Sequence, residues 1–200
     1  NVYAGWAAWK CGLPVSRLVV GTNSNDVLYR FFETGEMRSR KVVPTLSPSM
    51  DIQISSNFER LLFDMLERDG AAVSKWIQTF RETGTVSVTD TCLSEVRTKF
   101  YAARLDDADT KEVIRSLFTE TGEQLDPHSA IGVGVGRKCR GDVTVPMVSL
   151  ATAHPSKFPD AVEEVTGLRS QLPDRLATLF DRPERHISIS KNLKAAQEFI

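Results

Sequence analysis

Cysteine is scarce in this 200-residue chain, which holds three such residues, Cys11, Cys92 and Cys139. They are odd in number and far apart in sequence, so neither a disulfide framework nor a zinc knuckle is expected. The three histidines also lack the spacing of metal ligands. We therefore expect reduced thiols in a cytoplasmic protein that has no metal site.

The chain also lacks an excess of charge of one sign and any long apolar run. Its 25 basic and 26 acidic residues give a formal net charge of −1, and the two signs are interspersed. This pattern argues against nucleic acid or a membrane surface as a partner. No apolar run reaches the length of a membrane span, and no signal peptide opens the chain. An initiator methionine is absent too, and NVYAGWAAWK (1–10) has the pattern of a helix already begun, so we expect preceding residues to be missing.

What the sequence does contain is the alternation of helices and strands that is typical of an α/β protein. RLVVGTN (17–23) predicts a short buried strand, and NDVLYRFFETG (25–35) predicts a helix that Asn23 or Asn25 caps and Gly35 ends. A helix, a strand and a helix within about 35 residues indicate a parallel sheet. VPMVSLA (145–151) predicts a second buried strand, and HISIS (186–190) predicts a further one.

The middle of the chain has a different character. NFERLLFDMLERDG (57–70) and AAVSKWIQTFRETG (71–84) have the apolar spacing of amphipathic helices. Further helices are predicted at about 90–103 and 107–121, and Asp126 with Pro127 marks the start of another. These changes predict an α/β segment at 1–55, a helical insertion at 56–123, and an α/β segment with a C-terminal tail at 124–200.

Candidate site residues lie at a strand end and at a helix start. Thr152 follows VPMVSLA, and ligands of open α/β sheets bind outside the carboxyl ends of strands. Its hydroxyl can orient a ring nitrogen or a carboxylate; alternatively, Thr152 caps the helix that begins near Pro155. Asn1 stands at a helix start, where free backbone N–H groups bind anions, or it is an ordinary cap. GVGVG (132–136) lacks the spacing of a phosphate loop and favours close packing of a helix instead.

Several segments resemble the threonine synthases of bacteria and fungi. The opening 23 residues resemble the part that follows the family's G-N-F-G phosphate loop, and the resemblance is collinear over essentially the whole chain. The other matching segments, in order, are NDVLYRFF (25–32), VVPT (42–45), SPSMDIQISSNFERLLF (47–63), LDPHSAIGV (125–133) and LATAHPSKFPDAVE (150–163). The resemblance implies the C-terminal part of such an enzyme. Its fold would be part of a pyridoxal-phosphate fold type II large domain, with a mostly parallel sheet and a helical insertion.

The same resemblance implies a lyase of threonine biosynthesis. Family members convert O-phospho-L-homoserine and water to L-threonine and phosphate with pyridoxal 5′-phosphate as cofactor. Thr152 matches the threonine expected to hydrogen-bond the pyridine nitrogen, and Asn1 matches the position after the phosphate loop, where many relatives have aspartate. The Schiff-base lysine belongs to the N-terminal half, and no lysine here stands in a matching context. We thus expect no catalytic residue in this chain, which alone is inactive and needs the missing N-terminal half.

Two alternatives to threonine synthesis stay open. A threonine-synthase-like phospho-lyase uses the same substrate but releases 2-oxobutyrate and ammonia, because the outcome depends on how water is positioned against Cβ. A non-catalytic interaction domain would keep the fold and lose the chemistry. The presence of Thr152 favours a catalytic protein over the interaction domain.

Overall fold

The structure is a computed structural model that describes residues 2–200. The helices are α1 (Val2–Lys10), α2 (Val27–Thr34), α3 (Ser56–Met65), α4 (Gly70–Thr83), α5 (Asp90–Arg97), α6 (Asp107–Thr121), α7 (Pro127–Cys139), α8 (Pro159–Thr166) and α9 (Leu193–Phe199). The strands are β1 (Leu18–Thr22), β2 (Glu36–Arg38), β3 (Thr85–Ser87) and β4 (Phe100–Arg104). Within residues 2–200 no helix is both long and apolar enough to cross a lipid bilayer.

The chain forms two compact units, which divide after Ser170. The first contains the four strands and α1 to α8, and the second, Gln171–Ile200, contains α9 and two short 3-10 turns. These turns span Asp174–Leu176 and Leu179–Asp181. The three-segment division at 1–55, 56–123 and 124–200 stays a prediction; its central segment is mainly helical and also contributes β3 and β4.

The α/β class is confirmed, and β1 and β4 form its parallel pair. Leu18 stands opposite Phe100 and Thr22 opposite Arg104, while β2 and β3 form a separate antiparallel ribbon. The predicted helix at 90–103 is wrong in its second half, because α5 ends at Arg97 and β4 follows. Pairing with β1 and burial of Phe100 outweigh the local helical pattern there.

The two faces of the parallel pair pack against different layers. Val20 and Ala102 face an aromatic core, whereas Val19 and Ala103, one residue away on each strand, face α7. Phe31 of α2 is fully buried in that core, and such burial of a phenylalanine contributes roughly 1.5–3 kcal/mol. The aromatic residues of the core are Trp6, Phe31, Phe32, Phe58, Trp76, Phe80 and Phe100.

Two of the predicted strands are wrong in this structure. Residues 145–151 and 186–190 are irregular, although both have apolar runs of strand type. Val148 is 79% exposed and Ile187 is 71% exposed. A strand forms only when a neighbour pairs its backbone groups, and in the described chain no strand lies hydrogen-bonded beside either segment. The local apolar pattern alone is therefore insufficient.

Helix ends follow the local signals more closely. Asp126 caps α7 by accepting the backbone N–H groups of His128 and Ser129. Gly35 ends α2 as predicted, with φ at 75°. The prediction that an asparagine caps α2 is wrong, because its N-cap is Asp26. The two asparagines serve the site described next.

Candidate functional site

The carboxyl end of β1 is followed by a buried asparagine, Asn23, which hydrogen-bonds to a loop more than 20 residues further along the chain. Asn23 is 1% exposed, and its side-chain N–H groups lie 2.8 Å from Thr45 Oγ1, 3.0 Å from Ser47 Oγ and 2.8 Å from Asp51 Oδ1. These acceptors belong to residues 43–51, which we call the 43–51 loop. The chain therefore places a polar loop at the edge of the sheet where α/β proteins bind ligands.

Asn25 and Asp51 complete this network. The Asn25 amide donates to Val43 O and to Asp51 Oδ1, both at 2.8 Å, and accepts the Val43 N–H at 2.9 Å. Asp51 also accepts the Thr45 backbone N–H at 2.9 Å and the Thr45 hydroxyl at 2.7 Å. Because each of these groups has a partner, the loop is held in one conformation.

An ion-pair cluster links the end of β4 to Asp26, the residue that follows Asn25 in the sequence. Arg104 Nη1 lies 2.5 Å from Asp26 Oδ2, and Arg30 Nε lies 2.8 Å from Asp26 Oδ1. Burial would raise the pKa of the Asp26 carboxyl, but the hydrogen bonds and charges of the two arginines outweigh it and hold that pKa below its ordinary value. The carboxylate is thus ionised and ties α2 to β4.

The N-terminus of α7 supplies a third polar group. Asp126 Oδ1 lies 2.9 Å from His128 Nδ1, and His128 Nε2 accepts the backbone N–H of Ser49 at 3.2 Å. Burial would raise the pKa of Asp126, yet the hydrogen bonds from His128 and Ser129 hold it below its ordinary value. The ring of Phe158 lies 4.7 Å from that of His128, between centroids. A buried carboxylate, an imidazole and the 43–51 loop therefore form one chain of contacts.

The direction of α7 places its N-terminus at the carboxyl end of the strands. Arg17, just before β1, donates to Cys139 O at the far end of α7 over 2.7 Å. His128, at the near end, meets the 43–51 loop, which β1 leads into through Asn23. The helix consequently runs opposite to β1.

The segment after α7 returns toward the same end. Ser149 Oγ lies 3.5 Å from Gly132 O, and further along the chain Phe158 packs on His128. Thr152 lies between these two contacts, on an irregular segment, with its side chain exposed. The segment that carries Thr152 is thus bounded in sequence by two contacts to α7, and no strand leads into it.

Other predicted features have clear outcomes. The alternative that Thr152 is a helix cap is wrong, because His154 caps the 3-10 turn at Pro155–Lys157 by accepting the Ser156 N–H. Close packing of the glycine helix is confirmed: a Cβ on Gly134 would lie 2.5 Å from Leu105 Cδ1. Asn1 lies outside the described residues.

Sequence reasoning missed the residues that hold the 43–51 loop. Asn23 and Asn25 were assigned as caps, Asp51 received no role, and His128 was considered only as a metal ligand. The signal was an Asn-Ser-Asn run directly after a buried strand, since buried amides must find partners. Among residues 2–200, no group of three or more His, Cys, Asp or Glu side chains is placed to hold a metal ion.

Comparison with known proteins gives a consistent result. Residues 129–200 match a family model described as threonine synthase, C-terminal. The chain is 46% identical to the threonine synthase of Pseudomonas aeruginosa over 201 aligned residues, which cover 100% of this chain and 43% of that protein. It is 30% identical to human threonine synthase-like 1, with 84% of this chain and 23% of that protein covered.

Solved structures resemble the fold over nearly the whole chain. The crystal structure of pyridoxal-phosphate-bound threonine synthase from Brucella melitensis has a TM-score of 0.86 and 46% identity, covering 99% of this chain and 42% of that one. The yeast threonine synthase structure has a TM-score of 0.81 and 34% identity, covering 92% and 41%. The chain therefore spans less than half the length of the proteins it resembles.

Proposed function

This chain belongs to the threonine synthase family, as its C-terminal part, and on that premise we propose that it serves an enzyme converting O-phospho-L-homoserine and water to L-threonine and phosphate. The observation that carries the proposal is the match over 100% of the chain at 46% identity to the Pseudomonas aeruginosa enzyme. Because the chain covers 43% of that relative, we propose that activity requires the remainder of the family sequence, including its lysine.

Pyridoxal 5′-phosphate is the proposed cofactor, and the donor chemistry of Thr152 fits it. A threonine hydroxyl can donate to a pyridine nitrogen without carrying a charge of its own. The exposed position of Thr152, on a segment that contacts α7 both before and after it in sequence, is compatible with contact to a bound group. When bound, this cofactor acts as an electron sink for the loss of protons from the amino-acid substrate.

The residues of this chain would bind and orient rather than move protons. Thr152 is proposed to fix the ring orientation, and the His154 cap holds the turn that follows it. The 43–51 loop would border the substrate, because its Pro48 and Ser49 are exposed while Asn23 and Asp51 hydrogen-bond to its backbone. Asn1 is proposed as a second cofactor-binding residue, near the cofactor phosphate.

The experiment is an assay of the natural full-length polypeptide for threonine and phosphate formation from O-phospho-L-homoserine. We expect activity in the wild type, near-wild-type activity in Thr152→Ser, and a loss of about tenfold or more in Thr152→Val, since one hydrogen bond to the cofactor is removed. Thr144→Val is the matched control, because the hydroxyl of this exposed threonine donates within its own turn to Asp142. Equal activity of the Thr152 variants would refute the assigned role.

A separate assay tests the need for the rest of the family sequence. Residues 1–200 alone are expected to form no threonine and to show no absorbance band of covalently bound pyridoxal phosphate. Addition of the N-terminal part as a separate polypeptide should restore both. Threonine formation by residues 1–200 alone would contradict the proposal.

A phospho-lyase acting on the same substrate is the second candidate, because the two reactions share the elimination of phosphate and differ in whether water then adds at Cβ. The same assay distinguishes the two, because this reaction yields 2-oxobutyrate and ammonia in place of threonine. A dominant 2-oxobutyrate product in the full-length enzyme would select this alternative.

A further inference from the structure

The 43–51 loop is anchored from three sides, and only one anchor is a side chain that can change its hydrogen-bonding role. Asn23 holds the loop from β1, and Asp107 at the start of α6 accepts the Leu46 N–H at 3.2 Å. His128 holds it from α7 by accepting the Ser49 N–H at 3.2 Å. An amide or an ionised carboxylate keeps its acceptors, whereas an imidazole nitrogen accepts only in one tautomer.

Asp126 selects that tautomer. Its Oδ1 lies 2.9 Å from His128 Nδ1, and the Asp126 side chain is fully buried. The hydrogen bonds it receives hold its pKa below the ordinary value, so the carboxylate is ionised and accepts. A proton on Nδ1 satisfies it, which leaves the lone pair of Nε2 free to accept from Ser49.

The surroundings of His128 keep the ring in this orientation. The ring of Phe158 packs on the imidazole of His128, with centroids 4.7 Å apart, and His128 is 9% exposed. Ser129, next in α7, donates its hydroxyl and backbone N–H to the other Asp126 oxygen. Rotation of the ring would break the contacts to both Asp126 and Ser49.

We propose that His128 is a positioning residue, whose Nε2 acceptor, set by Asp126, fixes Ser49 and hence the 43–51 loop against the substrate. The inference rests on the proposed function, since the loop is taken to border that substrate. Ser49 has its backbone held and its side chain exposed, which is the arrangement of a loop that presents polar groups to a ligand.

Two substitutions separate the two ring nitrogens. In His128→Gln, the side-chain oxygen can reach the place of Nε2 and accept from Ser49. In His128→Asn, the shorter amide reaches only the place of Nδ1, so it can donate to Asp126 while Ser49 loses its acceptor. Both variants remove the imidazole and change the packing against Phe158. Each keeps one of the two contacts of the ring, and His128→Gln is the one that keeps the acceptor for Ser49.

The expected result, in the natural full-length holoenzyme, is a kcat/KM about tenfold lower for His128→Asn and within about threefold of wild type for His128→Gln. Bound pyridoxal phosphate should be equal in both. Equal losses in the two variants, or no loss in either, would overturn the positioning role. An inactive wild type would instead refute the proposed function itself.

A second measurement needs no substitution and no activity. In the unsubstituted protein with ¹⁵N-labelled histidine, the His128 spectrum should show Nδ1 protonated and Nε2 unprotonated at neutral pH. Slow exchange of the Ser49 amide hydrogen should accompany it. A protonated Nε2 in the neutral ring would overturn the inference even if both variants failed to fold.

Discussion

Replacement of glycines in α7 tests how tightly this helix packs, because two glycines in the same helix meet different surroundings. A Cβ on Gly134 would lie 2.5 Å from Leu105 Cδ1 and 2.7 Å from Val113 Cγ2, whereas a Cβ on Gly132 would meet nothing within 4 Å. Both residues have ordinary helical backbones, since neither has a positive φ. The pair Gly132→Ala and Gly134→Ala therefore differs in steric fit alone.

The magnitudes follow from two opposing effects. Alanine stabilises a helix interior by about 1 kcal/mol relative to glycine, and this gain is common to both variants. Overpacking costs about 1–3 kcal/mol and applies only at Gly134, where Leu105 is 2% exposed and cannot move into solvent. We expect Gly132→Ala to be more stable than wild type, and Gly134→Ala to be less stable than Gly132→Ala by about 1–3 kcal/mol.

Urea unfolding followed by far-UV circular dichroism measures both free energies. The comparison holds if the dependence on urea is the same in the two variants, so that the midpoints report stability directly. If Gly134→Ala unfolds at the same urea concentration as Gly132→Ala, then α7 does not approach Leu105 closely and the packing argument is refuted.

Three further variants test the polar framework and one strained turn. Asp126→Ala removes two cap hydrogen bonds and the buried partner of His128, so urea titrations should show the free energy of unfolding lowered by about 2–3 kcal/mol. Asp69→Ala, at an exposed cap, should lower it by about 1 kcal/mol, and equal losses in the two variants would contradict this prediction. The pKa of Asp26 in the folded protein lies below its unfolded value of about 3.9. Its contribution to the stability of the fold is therefore complete above about pH 4 and is lost as pH falls through the folded pKa. In urea titrations from about pH 5 to about pH 3, the free energy of unfolding should accordingly fall less for Asp26→Asn than for wild type. Parallel curves against pH would count against the ion pairs. Glu67 has a φ of 54°, so Glu67→Gly should raise the free energy of unfolding by up to about 1 kcal/mol, and a destabilised variant would show that the turn is unstrained.

Local signals in the sequence predicted the elements whose ends depend on neighbouring residues. The helix expected at 107–121 is α6, with Asp106 as its cap and Gly122 at its end. The strand expected in RLVVGTN is β1. In both cases the capping or turn residues lie within a few positions of the element, so the chain carries the information locally.

Tertiary contacts decided the elements that the sequence did not predict. The sequence predicts a helix where β4 lies, because residues 100–104 acquire their strand conformation only by pairing with β1. VPMVSLA was placed in a strand, although its backbone has no strand beside it among the described residues. Both errors have the same origin: a strand is a property of a pair, and the partner is distant in sequence.

The site shows the same dependence in its polar groups. Asn23 and Asp51 are 28 residues apart, and Ser49 and His128 are 79 apart, so no short motif joins them. What the sequence offered was a set of polar residues at positions that must be buried: two asparagines after a strand, and a histidine inside a capped helix. Because burial of an unpaired amide or imidazole costs roughly 1–3 kcal/mol, each such residue requires a partner elsewhere in the chain. The 43–51 loop, with its Thr, Ser and Asp side chains, provides partners for both asparagines and, through Ser49, for the histidine. A buried polar residue that follows a strand end therefore indicates that a loop from elsewhere in the chain supplies its hydrogen-bond partners, and is weaker evidence for a helix cap.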